Sequence, residues 1–332
     1  MGILWDCIDS KPPILPSNNT PLGALPARFR RTRVLIVGCG DVGLRLARTL
    51  PSRVRVMALT SSPSRHEVLR AQGVVPLSGN LDQAVSLGRL AGLAHRVVHL
   101  APPPAQGRKD PRTRDLLQAL LRRTPPQQLV YASTSGVYGD CGGAWVNEVR
   151  ALNPGTERAW RRVDAEQAVR LWGRQRLGAS AASILRVPGI YAPDREGGTP
   201  RERLGRGTPV LRPEDDVYTN HIHADDLARA VARTMFVGRA QRAYHVSDDS
   251  DLKMGDYMDL AADLYGLSRP TRVSRAQAQS QLPPMLLSFM SESRRLDNRR
   301  MKQELRFRLK YPQVAQGLLS PIQDNSRVSG AG

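Results

Sequence analysis

A glycine-rich segment that directly follows a short apolar run is the part of the sequence whose spacing could do chemistry most clearly. The run Arg33–Val37 reads RVLIV, and glycines follow at positions 38, 40 and 43. In a strand–turn–helix unit, Gly38 permits a tight turn and Gly40 lets a phosphate approach the backbone. Gly43 lets the helix pack close to the strand. This spacing predicts a site for the pyrophosphate of a dinucleotide.

The start of the helix after these glycines supplies the attraction for the phosphates. Its first amide groups have no partner within the helix, and its dipole favours an anion. Asp41 brings a negative charge to the same turn, which is compatible with a bound phosphate if the carboxylate points away. The alternative is a glycine-rich turn without a ligand. The predicted pyrophosphate site consists of Gly38, Gly40, Asp41, Val42 and Gly43.

The residues after the second apolar run predict which dinucleotide is bound. Units that bind NAD usually place Asp or Glu at the end of this strand, where it holds the ribose hydroxyls. Here the segment Arg53–Leu59 is followed by Thr60, Ser61 and, four residues later, Arg65, with no carboxylate. Hydroxyl groups and a guanidinium could hold a 2′-phosphate, so we expect NADP in preference to NAD. The alternative is a solvated polar turn.

The basic charge of the chain is more typical of a genome-wide codon bias towards arginine than of a nucleic-acid-binding surface. The chain has 332 residues and a net charge of +19, but only five of its 49 basic residues are lysines. The basic residues are spread along the chain, and aromatic residues make up only 5%. The sequence therefore has too few aromatic residues for an obvious surface on which bases could stack, and we expect no specific nucleic-acid partner. A basic surface would still attract anionic cofactors and substrates.

Cysteine content and hydropathy limit the class of protein further. The three cysteines, Cys7, Cys39 and Cys141, are too few and too scattered for a disulfide framework or a cysteine-based zinc site. Apolar runs are shorter than ten residues, so no membrane-spanning helix is expected. The start of the chain lacks the apolar core of a secretory signal. We therefore expect a cytoplasmic protein with no bound metal and no membrane partner.

Apolar runs and helical patterns alternate from residue 33 onwards. This alternation predicts an α/β fold of the Rossmann type, with a doubly wound parallel sheet covered by helices on both faces. After Gly189 the rhythm is less regular, which is typical of a smaller C-terminal α/β lobe. Short helices are expected there at 223–237, 254–264 and 276–289. The predicted organisation is a flexible extension (1–32), a dinucleotide-binding domain (33–190), a substrate lobe (191–319) with a strand near 243–246 that could rejoin the sheet, and a loose tail (320–332).

Several further segments occur in the order found in a known family. They are Gly79–Asp82 (GNLD), His99–Ala101 (HLA), Tyr131–Asp140 (YASTSGVYGD), Arg186–Pro193 (RVPGIYAP) and Asn220–Leu227 (NHIHADDL). With the glycine segment they resemble the extended short-chain dehydrogenase/reductases, the group that contains sugar-nucleotide epimerases and dehydratases. The resemblance covers about residues 33–319. It implies that Asn80 and Leu81 lie beside the adenine, that Leu100 and Ala101 lie against the cofactor, and that Thr134 is the catalytic hydroxyl.

One departure from this family concerns proton transfer. The family normally uses a Tyr-x-x-x-Lys pair, in which the tyrosine exchanges the proton and the lysine binds the nicotinamide ribose and lowers the pKa of the tyrosine. In this chain the two positions hold Arg158 and Arg162. An arginine stays protonated and is a poor proton donor. Arg162 could still reach ribose hydroxyls or a phosphate; the alternative for both arginines is a solvated helix face.

Another side chain must then supply the proton if the protein is an enzyme. The candidates near the expected cleft are Tyr191, Tyr138, His221 and His223. Tyr191 is the preferred candidate, because its loop is expected to pass the nicotinamide; a packing role is the alternative. Thr134 either orients a substrate carbonyl or only shapes the turn. His221 and His223 are expected to orient the helix that starts near Asp225, and they lack a third partner for a metal.

Two functions follow from these observations. The first is an NAD(P)-dependent oxidoreductase or epimerase-like enzyme that transfers a hydride to or from a small carbonyl, hydroxyl or nucleotide-sugar-like substrate. The second is a cofactor-binding sensor or scaffold without turnover. A nucleic-acid-binding module would rest on net charge alone. The family resemblance also suggests a homodimer formed through the helix after Asp110 and the helix Thr156–Trp172.

Overall fold

The structure is a computed structural model that describes residues 31–175 and 180–322. Most of the predicted N-terminal extension and C-terminal tail therefore lies outside the described residues. The strands are β1 Arg33–Val37, β2 Arg55–Thr60, β3 Val75–Ser78, β4 Arg96–His99, β5 Gln128–Thr134, β6 Trp145–Val146, β7 Ala181–Val187, β8 Gly189–Tyr191, β9 Val210–Leu211, β10 Tyr218–Thr219, β11 His221–His223, β12 Arg242–His245, β13 Leu252–Lys253, β14 Arg272–Val273 and β15 Arg295–Leu296.

The helices alternate with these strands through the first two thirds of the chain. They are α1 Asp41–Thr49, α2 Arg65–Ala71, α3 Pro111–Leu121, α4 Glu157–Arg174, α5 Arg201–Gly205, α6 Ala224–Val237, α7 Met254–Tyr265, α8 Arg275–Gln281, α9 Pro284–Phe289, α10 Arg299–Glu304 and α11 Val314–Leu318, with 3₁₀ helices at Ala84–Leu90 and Ser135–Tyr138. No helix among these residues is long and apolar enough to cross a membrane.

Seven strands form one parallel sheet in the order β12-β7-β5-β4-β1-β2-β3. The predicted Rossmann-type fold is confirmed. The strand order reverses beside β1, whose neighbours are β2 on one side and β4 on the other. In an open parallel sheet the carboxyl ends of the strands separate at such a point and leave a crevice. The sheet therefore places its ligand crevice at the end of β1, where the glycine segment begins.

Both faces of the sheet are buried, because successive side chains of a strand point to opposite sides. Val34 and Ile36 of β1 share one core with Leu46 of α1 and Val231 of α6. Leu35 and Val37 point the other way and pack with residues of α3 and α4, including Leu116, Leu120, Val169 and Trp172. The continuous apolar run of β1 is thus explained by two cores, each taking every second residue.

A third core builds the smaller lobe. Its buried residues include Leu204, Val210, Met258 and Leu318, which come from α5, β9, α7 and α11. Between these segments the chain returns to the main sheet: α6 packs on it, and β12 forms its edge beside β7. The two lobes are therefore interleaved along the sequence. The domain limits drawn at residues 190 and 319 stay a prediction.

One helix expected in this lobe is divided. The sequence pattern predicts a single helix over 276–289, and that prediction is wrong, since α8 ends at Gln281 and α9 begins at Pro284. Leu282 and Pro283 between them are extended. Pro284 has no amide hydrogen to donate, and a residue before a proline avoids the helical conformation. The proline pair therefore ends one helix and starts the next.

Candidate active site

A crevice at the carboxyl ends of β1, β2 and β4 gathers most of the predicted cofactor residues. We call it the dinucleotide pocket; its volume is about 510 Å³. The predicted residues that line it are Gly38, Gly40, Thr60, Ser61, Arg65, Asn80, Leu81, Leu100 and Ala101, and Cys39, Leu59, Gly79, Asp82, Pro102 and Arg112 are among the others. The sheet brings these side chains together because parallel strands end at the same edge.

The three glycines of the first turn have different physical roles. Gly38 has a φ of +87°, and a Cβ there would lie 2.4 Å from the amide nitrogen of Ala101. A Cβ on Gly43 would lie 3.2 Å from Cys39 Sγ and 3.3 Å from the carbonyl oxygen of Gly38. A Cβ on Gly40 would meet nothing within 4 Å. Gly38 is therefore required by the protein's own packing and a Cβ on Gly43 would be in tight contact, whereas Gly40 leaves open space.

The carboxylate of Asp41 is taken up by two arginines. Arg45 Nε donates to Asp41 Oδ1 at 2.9 Å, and Arg195 Nη1 lies 2.7 Å from Asp41 Oδ2. Arg45 is buried and also contacts Asp194 at 2.6 Å and Asp225 at 2.5 Å. The charge of Asp41 is therefore directed to two arginines. The same contacts fasten the loop that follows β8 to the start of α1.

The end of the dinucleotide pocket beside β2 is polar, and its described carboxylate is paired with an arginine. Arg65 Nη2 donates to the carbonyl oxygen of Cys39 at 2.8 Å, which holds its guanidinium over the pocket. Asp82 is the one carboxylate among the described lining residues, and Arg112 pairs with it at 2.5 Å. Thr60 and Ser61 also line an adjoining polar pocket with His66 and Ser78. No carboxylate ends β2.

A second, larger cleft lies between the sheet and the smaller lobe. We call it the arginine cleft; its volume is about 780 Å³. Glu292 is the one carboxylate among its described lining residues, whereas six arginines line it: Arg158, Arg161, Arg162, Arg195, Arg203 and Arg294. Pro102 lines both this cleft and the dinucleotide pocket, so the two adjoin. Thr134 and Tyr191 line the arginine cleft as well.

Thr134 ends β5 and is half-buried at the wall of the arginine cleft. Its Oγ1 accepts a hydrogen bond from the amide of Gly136 at 3.3 Å and caps the 3₁₀ helix that follows. This bond occupies one acceptor position of the hydroxyl. Because a hydroxyl carries one donor and two acceptor positions, Thr134 can still donate a hydrogen bond into the cleft.

Arginines occupy both positions where the family's proton-transfer pair would lie. Arg162 Nη1 donates to the carbonyl oxygen of Ala132 at 2.9 Å and to the hydroxyl of Tyr131 at 3.0 Å. Burial raises the pKa of Tyr131 to about 12, although the nearby Arg162 lowers it. Arg158 is exposed and lies 4.6 Å from the ring centre of Phe289. The tyrosine and the lysine of the family's pair are therefore both replaced by arginine.

Tyr191 belongs to the core of the smaller lobe. Its side chain is 2% exposed, and its ring meets that of His223 edge to face at 5.4 Å between centroids. The hydroxyl is directed at Gly317, where a Cβ would lie only 2.3 Å away. Burial, together with the charge of Asp248, raises the pKa of Tyr191 far above its ordinary value. This geometry favours the packing role that the sequence left as an alternative to proton donation.

The two histidines of β11 have different surroundings. His223 Nδ1 accepts a hydrogen bond from the amide of Asp225 at 3.2 Å and caps α6, which is the orienting role expected for it. His221 lines the arginine cleft and stacks on Tyr257 at 4.2 Å. Burial lowers the pKa of His221 to about 4, so it is neutral at pH 7. Within the described part of the chain, no group of three or more potential ligands is arranged around a metal.

Sequence reasoning missed four of the arginines in the cleft: Arg161, Arg195, Arg203 and Arg294. They lie on α4, on α5 and in loops that are far apart in the sequence. In a chain so rich in arginine, none of them has a local pattern that distinguishes it from a surface residue. Only the packing of the lobe against the sheet selects them.

Residues 34–247 match the model of one family, the NAD dependent epimerase/dehydratase family. No curated protein sequence matches the chain. Among solved structures, a conserved protein of unknown function from Silicibacter pomeroyi is 32% identical with a TM-score of 0.71, and the match covers 86% of this chain and 96% of that one.

Two enzymes solved with NAD share the fold at lower identity. UDP-glucuronic acid 4-epimerase from Bacillus cereus is 15% identical with a TM-score of 0.68, over 86% of this chain and 96% of that one. A dTDP-glucose 4,6-dehydratase from Streptomyces venezuelae, a double mutant, is 20% identical with a TM-score of 0.66, over 86% and 95%. At these identities the likeness concerns the fold.

Proposed function

The chain belongs to the NAD dependent epimerase/dehydratase family, and from this premise we propose that it is an oxidoreductase or epimerase-like enzyme that uses NADP(H) on a small carbonyl or hydroxyl compound. The observation that carries the proposal is the dinucleotide pocket, in which Gly40 leaves bare backbone at the start of α1. Such a surface accepts a pyrophosphate through amide hydrogen bonds and the helix dipole.

Each lining residue then has a definite task. Gly38, Gly40 and the first amides of α1 bind the pyrophosphate, and Asn80, Leu81, Leu100 and Ala101 surround the rest of the dinucleotide. When bound, the nicotinamide accepts or donates a hydride. Thr134 donates a hydrogen bond to the oxygen of the reacting carbon. Arg162, fixed by Ala132 and Tyr131, lies beside β5 and supplies positive charge next to the nicotinamide ribose.

The proton must come from a group other than the missing tyrosine. Arg158 cannot release its proton at neutral pH, and Tyr191 is buried with its hydroxyl against Gly317. Water in the wide arginine cleft, held by Thr134, is the remaining carrier for the proton. This assignment makes the enzyme slower than relatives that keep the tyrosine, because a positioned acid contributes about 10² to 10⁴ in rate.

The preference for NADP rests on the residues that follow β2. Thr60 and Ser61 offer hydroxyls and Arg65 offers a guanidinium, while no described carboxylate stands at the end of β2 to repel a 2′-phosphate. A guanidinium binds phosphate through charge-assisted hydrogen bonds, often two at once. We further propose that the protein works in the cytoplasm and pairs as a homodimer through α3 and α4.

Titration of the purified chain with NADPH and NADH, followed by fluorescence, tests the proposal. We expect binding of both, with NADPH bound roughly tenfold more tightly. Oxidation of NADPH is then measured in the presence of carbonyl compounds and of nucleotide sugars. If the chain binds neither NADPH nor NADH, the proposal is excluded.

A second candidate function is a cofactor-binding sensor without turnover. The arginines at both proton-transfer positions favour it. The variant Thr134→Val separates the two functions, because the change removes a hydroxyl from the cleft and leaves the dinucleotide pocket untouched. An enzyme loses roughly a hundredfold in turnover while its affinity for NADPH stays the same. A sensor has no turnover to lose, and its NADPH affinity is also unchanged.

A further inference from the structure

Tyr131 is a buried tyrosine of β5 whose hydroxyl contacts one arginine of the arginine cleft. Arg162 Nη1 donates to this hydroxyl at 3.0 Å and to the carbonyl oxygen of Ala132 at 2.9 Å. Tyr131 itself is not among the described residues that line the cleft, and its side chain is completely buried. Burial raises the pKa of Tyr131 to about 12, so its hydroxyl is neutral at pH 7. Arg162 is therefore held from behind by a neutral acceptor that a ligand in the cleft does not reach.

The packing around Tyr131 leaves its ring little freedom. The rings of Tyr131 and His99 lie 5.3 Å apart between their centroids. His99 Nε2 lies 2.9 Å from the hydroxyl of Thr113, which donates to Asp110 at 2.8 Å. All four side chains are buried. The position of the Tyr131 hydroxyl is therefore set by the sheet and by the start of α3, and it is rigid enough to position another side chain.

The contacts of Arg162 leave one edge of its guanidinium for a ligand. Both of its hydrogen bonds to the protein come from Nη1, and Nε and Nη2 make none to any described residue. These two nitrogens share one edge of the planar group, where they present parallel donors. Since Arg162 lines the cleft, this edge is what it offers there.

An arginine at this position depends on its angle more than a lysine would. A lysine ammonium acts as a point charge on a flexible stem, whereas the donors of a guanidinium have fixed directions. A single hydrogen bond to Ala132 would leave the group free to turn about that bond. The hydroxyl of Tyr131 is a second acceptor for the same Nη1, and two acceptors together define the direction of the guanidinium plane.

We propose that Tyr131 is a positioning residue for the nicotinamide half of the cofactor. Its hydroxyl fixes the direction of the Arg162 guanidinium, so that the edge formed by Nε and Nη2 is presented to the ligand. This assignment rests on the proposed function, in which Arg162 lies next to the nicotinamide ribose. It predicts that the loss of one buried hydroxyl outside the cleft weakens binding of one half of the dinucleotide only.

Calorimetric titration of the full chain with NADPH and, separately, with 2′,5′-ADP tests the assignment, because 2′,5′-ADP lacks the nicotinamide half. We expect Tyr131→Phe to bind NADPH roughly tenfold more weakly and to bind 2′,5′-ADP as the wild type does. Tyr244→Phe is the matched control. Tyr244 is a buried tyrosine of the same sheet, and its hydroxyl accepts a hydrogen bond from the amide of Arg239 at 3.1 Å. We expect this variant to bind both probes like the wild type.

A second genetic background shows whether Tyr131 acts through Arg162. Arg162→Met should itself weaken NADPH binding roughly tenfold. Adding Tyr131→Phe to this variant should cause no further loss, because two residues that act as one unit are not additive. If the two losses multiply instead, Tyr131 does not act through Arg162 and the assignment is overturned.

The outcomes separate this role from the function it rests on. Equal NADPH binding by the wild type and Tyr131→Phe, or an equal loss for NADPH and 2′,5′-ADP, overturns the role of Tyr131 and leaves the proposed function standing. If the wild type binds NADH but not NADPH, NADH and ADP are the two probes that decide. If it binds neither NADPH nor NADH, the function is excluded and the role of Tyr131 is overturned with it.

A second replacement keeps the test decisive if Tyr131→Phe does not fold. 4-Fluorophenylalanine at position 131 fills the space of the hydroxyl but is a poor hydrogen-bond acceptor. A loss confined to NADPH then supports the role of Tyr131, and unchanged NADPH binding overturns it.

Discussion

The dinucleotide pocket and the arginine cleft adjoin each other but are built in opposite ways. The pocket is assembled from turns between residues 37 and 112, and its one described carboxylate is paired with an arginine. The cleft draws its lining from segments between residues 102 and 294 and gathers six arginines against one described carboxylate. The first is a backbone site made by local geometry, and the second is a charged site made by long-range packing.

This difference has a physical origin. A phosphate that binds backbone amides needs only a turn of the right shape and a glycine without a Cβ, which are local properties. A charged cleft needs side chains from distant segments to be desolvated together. This desolvation costs free energy and occurs only when the chain folds. We therefore expect changes in the pocket to act through single backbone positions, and changes at the cleft to act through ion pairs and buried charges.

The largest effect is expected at Gly38. Gly38→Ala should lower the free energy of unfolding by about 4 kcal/mol, because an alanine there combines a strained positive φ with an overlap against Ala101. Gly40→Ala is the control: its Cβ meets no protein atom, so we expect normal stability but roughly tenfold weaker NADPH binding. Urea unfolding and nucleotide titration measure both. Equal stability of the two variants would contradict the conclusion that packing excludes a Cβ at Gly38 and tolerates one at Gly40.

Arg45 links the two regions, since it contacts Asp41 at the pocket and Asp194 in the loop beside the cleft. Arg45→Met should lower the free energy of unfolding by about 3 kcal/mol, because it removes the buried guanidinium that contacts three partly buried carboxylates, those of Asp41, Asp194 and Asp225. Arg48→Met on the same helix is the matched control, since Arg48 bonds only to Gln72 at the surface. If the two variants are equally stable in denaturant, the link between pocket and cleft is not an energetic one.

Asp248 is buried and interacts electrostatically with Tyr191. Burial raises the pKa of Asp248 to about 8. The folded state then holds a proton that the unfolded chain releases above its ordinary pKa of 3.8. The stability that this proton gives is present at low pH and is lost as the pH rises towards 8. Asp248→Asn lacks this loss.

Urea unfolding of the wild type and Asp248→Asn at about pH 5 and about pH 8.5 measures this effect. Relative to the wild type, the variant should gain a few kcal/mol between the two pH values. The same difference in stability at both values would contradict the raised pKa.

The smallest effect is expected at Arg65. Arg65→Gln should weaken NADPH binding roughly tenfold and leave NADH binding nearly unchanged, because the only nucleotide group proposed to bind this guanidinium is the 2′-phosphate, which NADH lacks. Arg70→Gln, an exposed position on the same helix, is the control. An equal loss for NADPH and NADH would show that Arg65 holds the pocket together through Cys39 rather than selecting the nucleotide.

Much of the sheet could be predicted because its signals are local. The strand β1 begins and ends where its apolar run predicted, and Asp110 and Thr156 cap α3 and α4 as polar residues before a helix usually do. The single helix expected over 276–289 was wrong because the proline pair outweighs an apolar pattern. Such a break depends on the backbone of two residues, Pro283 and Pro284, and the spacing of apolar residues over the whole segment does not report it.

By itself the sequence determined the dinucleotide pocket, since glycine spacing, β-branched runs and the absence of a carboxylate after β2 are properties of neighbouring residues. The tertiary structure alone decided which arginines meet in the cleft, that Asp41 is paired with Arg45 and Arg195, and that the hydroxyl of Tyr191 points at Gly317. The physical reason is range. A turn is fixed by the conformations of a few adjacent residues, whereas burial and charge pairing depend on which distant segments pack together.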